Sequence, residues 1–279
     1  MLRKEIRLEL RQTPHLYVMG TAGEGYALTE PQYREVVAVF VSEMKAGGAE
    51  PMVGIISMSV GEVHRRIEQA QALGVRLFQV SLPGWGPCTE REIFTFFDEV
   101  CGGHPECRFL HYNLLRTRVL VTPDQYRRIA EKHANLVATK NTTDSISTLS
   151  LLLDSTPQVQ HFLADTAFPF GCLVGECGLL ISVASSNWST ARRYFDLCVK
   201  RETAAALDLQ ADLVKIIGEL HALVDPHAHM DGAFDKMYAR LHVPGFPLRL
   251  LPPYQGVPEE VFERYRATLK EKYPRWHPA

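Results

Sequence analysis

A parallel α/β barrel carrying a helical C-terminal appendage is the fold this sequence predicts, on three observations. Seven segments with the composition of buried strands alternate with helical ones. The helical segments open on N-terminal capping signals. No two strands stand at hairpin spacing, so helical crossovers must join them and the strands must run parallel.

In chain order, a charged opening segment suits one short helix, and residues 15–19 (HLYVM) read as the first strand. Residues 20–25 (GTAGEG) make a tight loop, and Thr29-Glu30-Pro31-Gln32 is a capping box with an early proline. Behind it Tyr33, Val36, Val37, Phe40, Val41 and Met44 recur at the spacing of one helix face. The unit repeats: residues 51–56 are a strand before a helix capped by Ser59 with Glu62, and residues 76–82 a strand before a helix capped by Thr89 with Glu92. Residues 107–112 (CRFLHY) precede a helix opened by Thr122-Pro123-Asp124-Gln125, and residues 136–140 are the fifth strand. Residues 159–164 and 179–184 complete the set, with less clearly patterned helices between them. From about Asn187 only helices follow, over residues 188–201, 203–224, 231–241 and 258–273. The expected division is a barrel body over residues 1–200 and a helical region over residues 201–279.

The chain has 279 residues, 46% hydrophobic and 22% charged, with a formal net charge of −2. That balance gives no basis for a general affinity for nucleic acid or anionic membrane, and leaves a small molecule or a second copy of the chain as partner. The six cysteines show no CxxC spacing and the opening MLRKEIRLELRQ lacks the apolar core of a signal peptide. Reduced thiols in a cytoplasmic protein are therefore expected. No apolar run approaches the ~20 residues that span a bilayer.

Barrel enzymes place their chemistry where strands end. Three strand ends are chemically unusual: Gly20-Thr21-Ala22-Gly23-Glu24, Tyr112-Asn113, and Lys140. Alternation along a strand gives Leu110 and Tyr112 one face, and Ala138 and Lys140 one face of the neighbouring strand. If those faces point inward, tyrosine and lysine meet. The same parity turns His111 and Thr139 toward the helices, which makes His111 structural. A lysine is rarely buried unless paired, and an amine in a low-dielectric pocket loses proton affinity and becomes a nucleophile. The other reading of Lys140 is a strand-end ammonium that reaches water.

GTAGE after one strand, YN ending a later one and K ending the next resemble the dihydrodipicolinate synthase and N-acetylneuraminate lyase family, over roughly residues 15–190. The resemblance implies a class I aldolase or lyase in which Lys140 forms an imine with the keto group of pyruvate or another 2-keto acid. Tyr112 would shuttle the proton and Thr21 would link its hydroxyl to a relay, with no metal or organic cofactor. Ala22, Gly23, Arg116 and Ile181 are the expected substrate contacts, the N–H groups of Ala22 and Gly23 serving as an anion-binding nest. A homo-oligomer, dimer or tetramer, is implied as well.

Several positions depart from the family pattern. Ala22 stands where a second hydroxyl residue is usual, removing a hydrogen bond worth ~1.5–3 kcal/mol to a charged group. Trp85 stands where similar synthases carry a tyrosine that enters the neighbouring subunit's site, and an indole cannot relay a proton as a phenol can. After Tyr112-Asn113 comes Leu114-Leu115-Arg116-Thr117-Arg118, in which Arg116 or Arg118 is the candidate for a second carboxylate and a solvated loop arginine the alternative. These changes favour a sugar-acid-type substrate over lysine biosynthesis. Only 14 residues precede His15, room for a helix but not for a strand as well. The prediction is a TIM (β/α)8-type barrel lacking its first strand, or one whose opening segment improvises a substitute.

Two other functions compete. One is a keto-acid-binding or remnant protein of the same fold, catalytically impaired. The weaker is a metal-dependent hydrolase using His227 and His229 of Asp225-Pro226-His227-Ala228-His229, a motif that lies away from the strand ends and suits a polar interhelix loop.

Overall fold

A computed structural model describes residues 1–278. Seven parallel strands form one sheet in strict sequence order. They are β1 (Tyr17–Val18), β2 (Met52–Gly54), β3 (Leu77–Val80), β4 (Arg108–Asn113), β5 (Leu136–Asn141), β6 (Gln160–Ala164) and β7 (Gly178–Leu180). Among the described residues β1 and β7 share no ladder, so the barrel of seven strands has one unpaired seam. An opening helix α1 (Leu2–Glu9) is followed by the crossover helices α2 (Glu30–Ala46), α3 (Val60–Ala72), α4 (Glu90–Gly103), α5 (Pro123–Lys132), α6 (Ile146–Ser155) and α7 (Phe168–Val174). Thr29 with Gln32, Thr89 with Glu92, and Thr122 with Gln125 form the expected capping boxes.

The C-terminal part is helical as predicted: α8 (Trp188–Val199), α9 (Thr203–Val224), α10 (Asp231–His242) and α11 (Glu259–Lys272). Their buried faces join α7 in one apolar cluster running from Phe168 to Trp276, separate from the cluster of Val53, Phe78, Phe97, Phe109 and Tyr126 around the first five strands.

The outer strands are shorter than their composition suggests. β1 stops at Val18 because Met19 takes a left-handed turn, with φ of 64°, into the glycine loop. β7 stops at Leu180 rather than running on to Ala184, because the Asp165 carboxylate at the end of β6 accepts the N–H groups of Ser182 and Ala184 at 3.2 Å. Those bonds curl residues Val183–Ser186 into a 3₁₀ turn.

Among the described residues the first element is α1 and not a strand. Its Ile6 packs on Phe40, Met44 and Ala49, its Arg3 and Arg7 both pair with Glu43 of α2, and Arg192 of α8 donates to the Gln12 carbonyl at 3.2 Å. A helix thus ties α2 to α8 beside the seam.

This packing turns acids inward. Burial pushes Glu5 up to about 7 against the pull of Lys236, and burial with the nearby Glu5 and Asp235 carboxyls pushes Glu9 up to about 7. Burial also pushes Asp235 of α10 up to about 7, against the pull of Lys140. A carboxyl whose folded pKa is raised stabilises the fold below its unfolded pKa and loses that contribution as pH rises through the folded value. Thermal stability is therefore expected to fall between about pH 4 and pH 7, by on the order of 1–2 kcal/mol per group. The variant Glu9→Gln should flatten that fall in a series of melting curves, and an unchanged slope would contradict the placement of the three acids.

Candidate active site

The two strand ends singled out in the sequence are neighbours. β4 and β5 pair with Leu110 opposite Ala138, His111 opposite Thr139, Tyr112 opposite Lys140 and Asn113 opposite Asn141. Alternation then does what the pattern predicts. His111 and Thr139 face the helices: His111 Nδ1 lies 2.6 Å from Tyr126 Oη, and burial pushes its pKa down to about 3. Thr139 Oγ1 lies 2.7 Å from His161 Nδ1. Asn113 holds the following loop through paired bonds with the Val121 backbone at 2.9 Å and donates to Asn141 at 3.2 Å. The asparagine of the YN pair is thus a framework residue.

Lys140 and Tyr112 come together on the inner face. The Lys140 ammonium sits 3.8 Å from the centroid of the buried Tyr112 ring, a cation–π contact. It donates a hydrogen bond to Tyr17 Oη at 3.1 Å. Tyr17 lies on β1, four strands away from β5 in the sheet order, so this bond crosses the barrel mouth. Sequence reading missed it. The one available signal is Gly20: a Cβ there would lie 2.6 Å from Tyr17 Cε2 and 2.9 Å from its Oη, so only glycine leaves space for that ring.

The charge on Lys140 differs from expectation. Burial acts to lower its pKa, but the facing Tyr17 and Tyr112 phenols, the Tyr17 hydrogen bond and Asp235 outweigh burial and raise it. The resting group is an ammonium, and the depressed pKa expected for a lysine in an apolar pocket does not hold here because the pocket is polar. Burial raises the pKa of Tyr112, with Lys140 opposing.

The glycine loop supplies less than predicted. Thr21 is buried, and its Oγ1 has no hydrogen-bond partner, so the relay through Thr21 is not assembled. The Gly23 N–H donates to the Gly20 carbonyl at 3.0 Å, which removes it from the nest expected at Ala22 and Gly23. What remains for an anion at this loop is the Ala22 N–H and the free Thr21 hydroxyl.

Helix α10 lies over the loop. A Cβ on Gly232 would come within 3.0 Å of the Ala22 carbonyl oxygen, Lys236 pairs with Glu24, and Glu24 accepts the Leu251 N–H at 2.6 Å. Arg116, the candidate for a second carboxylate, is already paired with Asp231 at 2.7 Å. Ile181 directly follows β7 and is 36% exposed. Trp85 does not enter the site of its own chain: it is 85% exposed on the loop after β3, with the exposed Met58 and Leu115 on the neighbouring loops. His227 and His229 lie in the turn between α9 and α10, with the His229 ring edge-on to Tyr254. A groove of about 620 Å³ lined by Leu241, Glu263, Arg266 and Lys270 lies on α10 and α11, not at the strand ends.

Comparison with known proteins gives a family and several similar structures. The family model described as the dihydrodipicolinate synthetase family matches residues 1–270. A curated 4-hydroxy-tetrahydrodipicolinate synthase from Sulfurovum sp. is 27% identical over 157 residues, covering 56% of this chain; the chain spans about half, 52%, of that relative's length. Two solved structures share the fold. YagE, a prophage protein of E. coli K12 from the dihydrodipicolinic acid synthase family, was determined in complex with pyruvate; it superposes with a TM-score of 0.83 at 18% identity, over 96% of this chain and 90% of its own. A catalytic lysine mutant of the Ruminococcus gnavus sialic acid aldolase superposes with a TM-score of 0.84 at 14% identity, over 99% and 90%. With the family model covering nearly all of the sequence, this chain belongs to the dihydrodipicolinate synthetase family.

Proposed function

We propose that this protein is a Schiff-base-forming lyase or aldolase of 2-keto acids, with Lys140 as the imine-forming residue. The observation that carries the reading is the meeting of Lys140, Tyr112 and Tyr17 at one end of the barrel. An amine and two phenols suffice for the chemistry in outline. The amine forms the imine, the imine draws electrons from the adjacent carbon–carbon or carbon–hydrogen bond, and a phenol moves the proton. The unpartnered Thr21 hydroxyl and the Ala22 N–H are the groups left to receive the carboxylate. No metal or organic cofactor enters these steps.

A sugar-derived 2-keto acid is favoured over the aspartate-derived aldehyde that lysine biosynthesis would require. Arg116 is held by Asp231, so a second carboxylate would have to compete for it, and Trp85 stands where a relay phenol is usual, so a second proton path lacks its phenol. The names of the curated relatives point toward the synthase, and the assay must therefore include both reactions. Release of pyruvate from a panel of sugar-derived 2-keto acids, measured by a coupled assay beside condensation of pyruvate with aspartate semialdehyde, decides between them. Cleavage of at least one sugar acid is the expected result. Condensation alone would overturn the substrate assignment.

The exposed Trp85, Met58 and Leu115 also form an apolar surface at the strand-end side, and a homo-oligomer built on it is part of the proposal. Light scattering in solution should give a multiple of the 31.5 kDa chain mass.

A further inference from the structure

We infer that Tyr17 is a catalytic residue, the acid–base group that serves the Lys140 nitrogen during imine formation, while Tyr112 is left to serve the substrate carbon. The inference rests on the Schiff-base reading of Lys140. It starts from the asymmetry of the two phenols. Tyr17 accepts the Lys140 hydrogen bond at its oxygen, at 3.1 Å, with its own ring centroid 5.7 Å away, whereas Tyr112 presents chiefly its ring face, with Nζ 3.8 Å from the centroid, and its hydroxyl is the weaker partner of the nitrogen. A proton passes along a hydrogen bond and not through a ring face. Of the two phenols, Tyr17 is the one aligned for transfer at the nitrogen.

The geometry is enforced. Tyr17 lies on β1 two residues before the left-handed Met19, and a Cβ on Gly20 would crowd its ring, at 2.6 Å from Cε2 and 2.9 Å from Oη. The expected Thr21 relay is not assembled, so no bond to that hydroxyl competes for Tyr17.

The steps balance without a co-reactant. The Lys140 ammonium first gives up one proton to solvent; the neutral amine then attacks the keto carbon, a C–N bond forms, and the carbonyl π pair moves to oxygen, which takes the Tyr17 proton. The phenolate takes a proton back from the new nitrogen centre, giving the carbinolamine. Tyr17 then protonates the hydroxyl, the C–O bond breaks, water leaves, and the nitrogen lone pair closes the C=N bond. The product is an iminium beside a Tyr17 phenolate. The groups that set the proton balance are Tyr17, Tyr112 and Asp235 around Lys140, with Asp231 acting on Tyr112. Because Tyr17 helps hold Lys140 charged, its loss should also free the amine at lower pH.

The test mixes protein with pyruvate for increasing times, quenches with excess borohydride and maps the adduct on Lys140, across a pH series. In Tyr17→Phe, which keeps every ring atom, adduct formation is expected to slow by about 10²-fold or more. The rate–pH profile should move to lower pH, a change that loss of packing alone would not produce. Should that variant fail to fold, 3,5-difluorotyrosine at position 17 keeps the shape and acidifies the phenol, and the profile should again move. A Tyr17→Phe protein that forms adduct at the parental maximal rate, whether or not its profile moves, overturns the role of Tyr17 and leaves the Schiff-base reading standing. No adduct in the parental protein at any time overturns both.

Discussion

Alanine in place of Lys140 should leave a folded protein that turns over no 2-keto acid above background, a loss of at least about 10³-fold. The physical reason is that on the proposed mechanism the imine is the electron sink, so removing the amine removes the reaction path and not one contribution to it. Folding should survive. The lysine is half-buried at the mouth, and its loss removes one hydrogen bond to Tyr17 and one contact with the Tyr112 ring. Lys140→Arg separates charge from nucleophilicity, because the guanidinium keeps the positive charge beside both rings but stays protonated and cannot attack a carbonyl. It should be as inactive as the alanine variant. Activity in either variant, read by pyruvate release, would remove Lys140 from the mechanism.

Tyr112→Phe should lower turnover by about 10²–10⁴-fold, the usual contribution of one proton-transfer group. It differs from the lysine variants in what survives. The ring and its contact with the ammonium remain, and the imine still forms because Tyr17 serves the nitrogen. Borohydride should therefore capture pyruvate on Lys140 in Tyr112→Phe at nearly the parental rate, while cleavage of the full substrate collapses. Loss of trapping and turnover together would mean that the two phenols do not divide the work.

Much of this site was legible before any coordinates, and the reason is local periodicity. Period-two alternation is a backbone property, so the parity of Tyr112, Lys140, His111 and Thr139 followed from two short strands once they were placed side by side. The caps at Thr29, Thr89 and Thr122 are four-residue signals and were equally readable. What escaped depends on residues far apart in the chain. Tyr17 meets Lys140 across the barrel, and α10 reaches back to Glu24, Ala22 and Arg116 through Lys236, Gly232 and Asp231. No periodicity encodes such contacts. The proton affinity of Lys140 was misread for the same cause: burial is visible in a strand's composition, but the facing phenols and Asp235 that outweigh it are not. The early end of β7 likewise turns on one carboxylate, Asp165, taking N–H groups that an apolar run would have given to a ladder.

On the proposed function, two features of the site bear on how a keto acid would bind. Among the described residues Thr21 has a buried hydroxyl without a partner, an arrangement that costs about 1–3 kcal/mol and that a hydrogen bond donated to a substrate carboxylate would relieve. Arg116 and Asp231 neutralise one another, so on the proposed function a monocarboxylate keto acid would enter without displacing this ion pair, while a second carboxylate near Arg116 would compete with Asp231.

The most direct test of the central assignment is the mass of the protein after incubation with pyruvate and borohydride, followed by peptide mapping. The prediction is a single increment equal to reduced pyruvate, located on Lys140 and absent from Lys140→Ala. No increment in the folded protein, or one located on another lysine, would contradict the account.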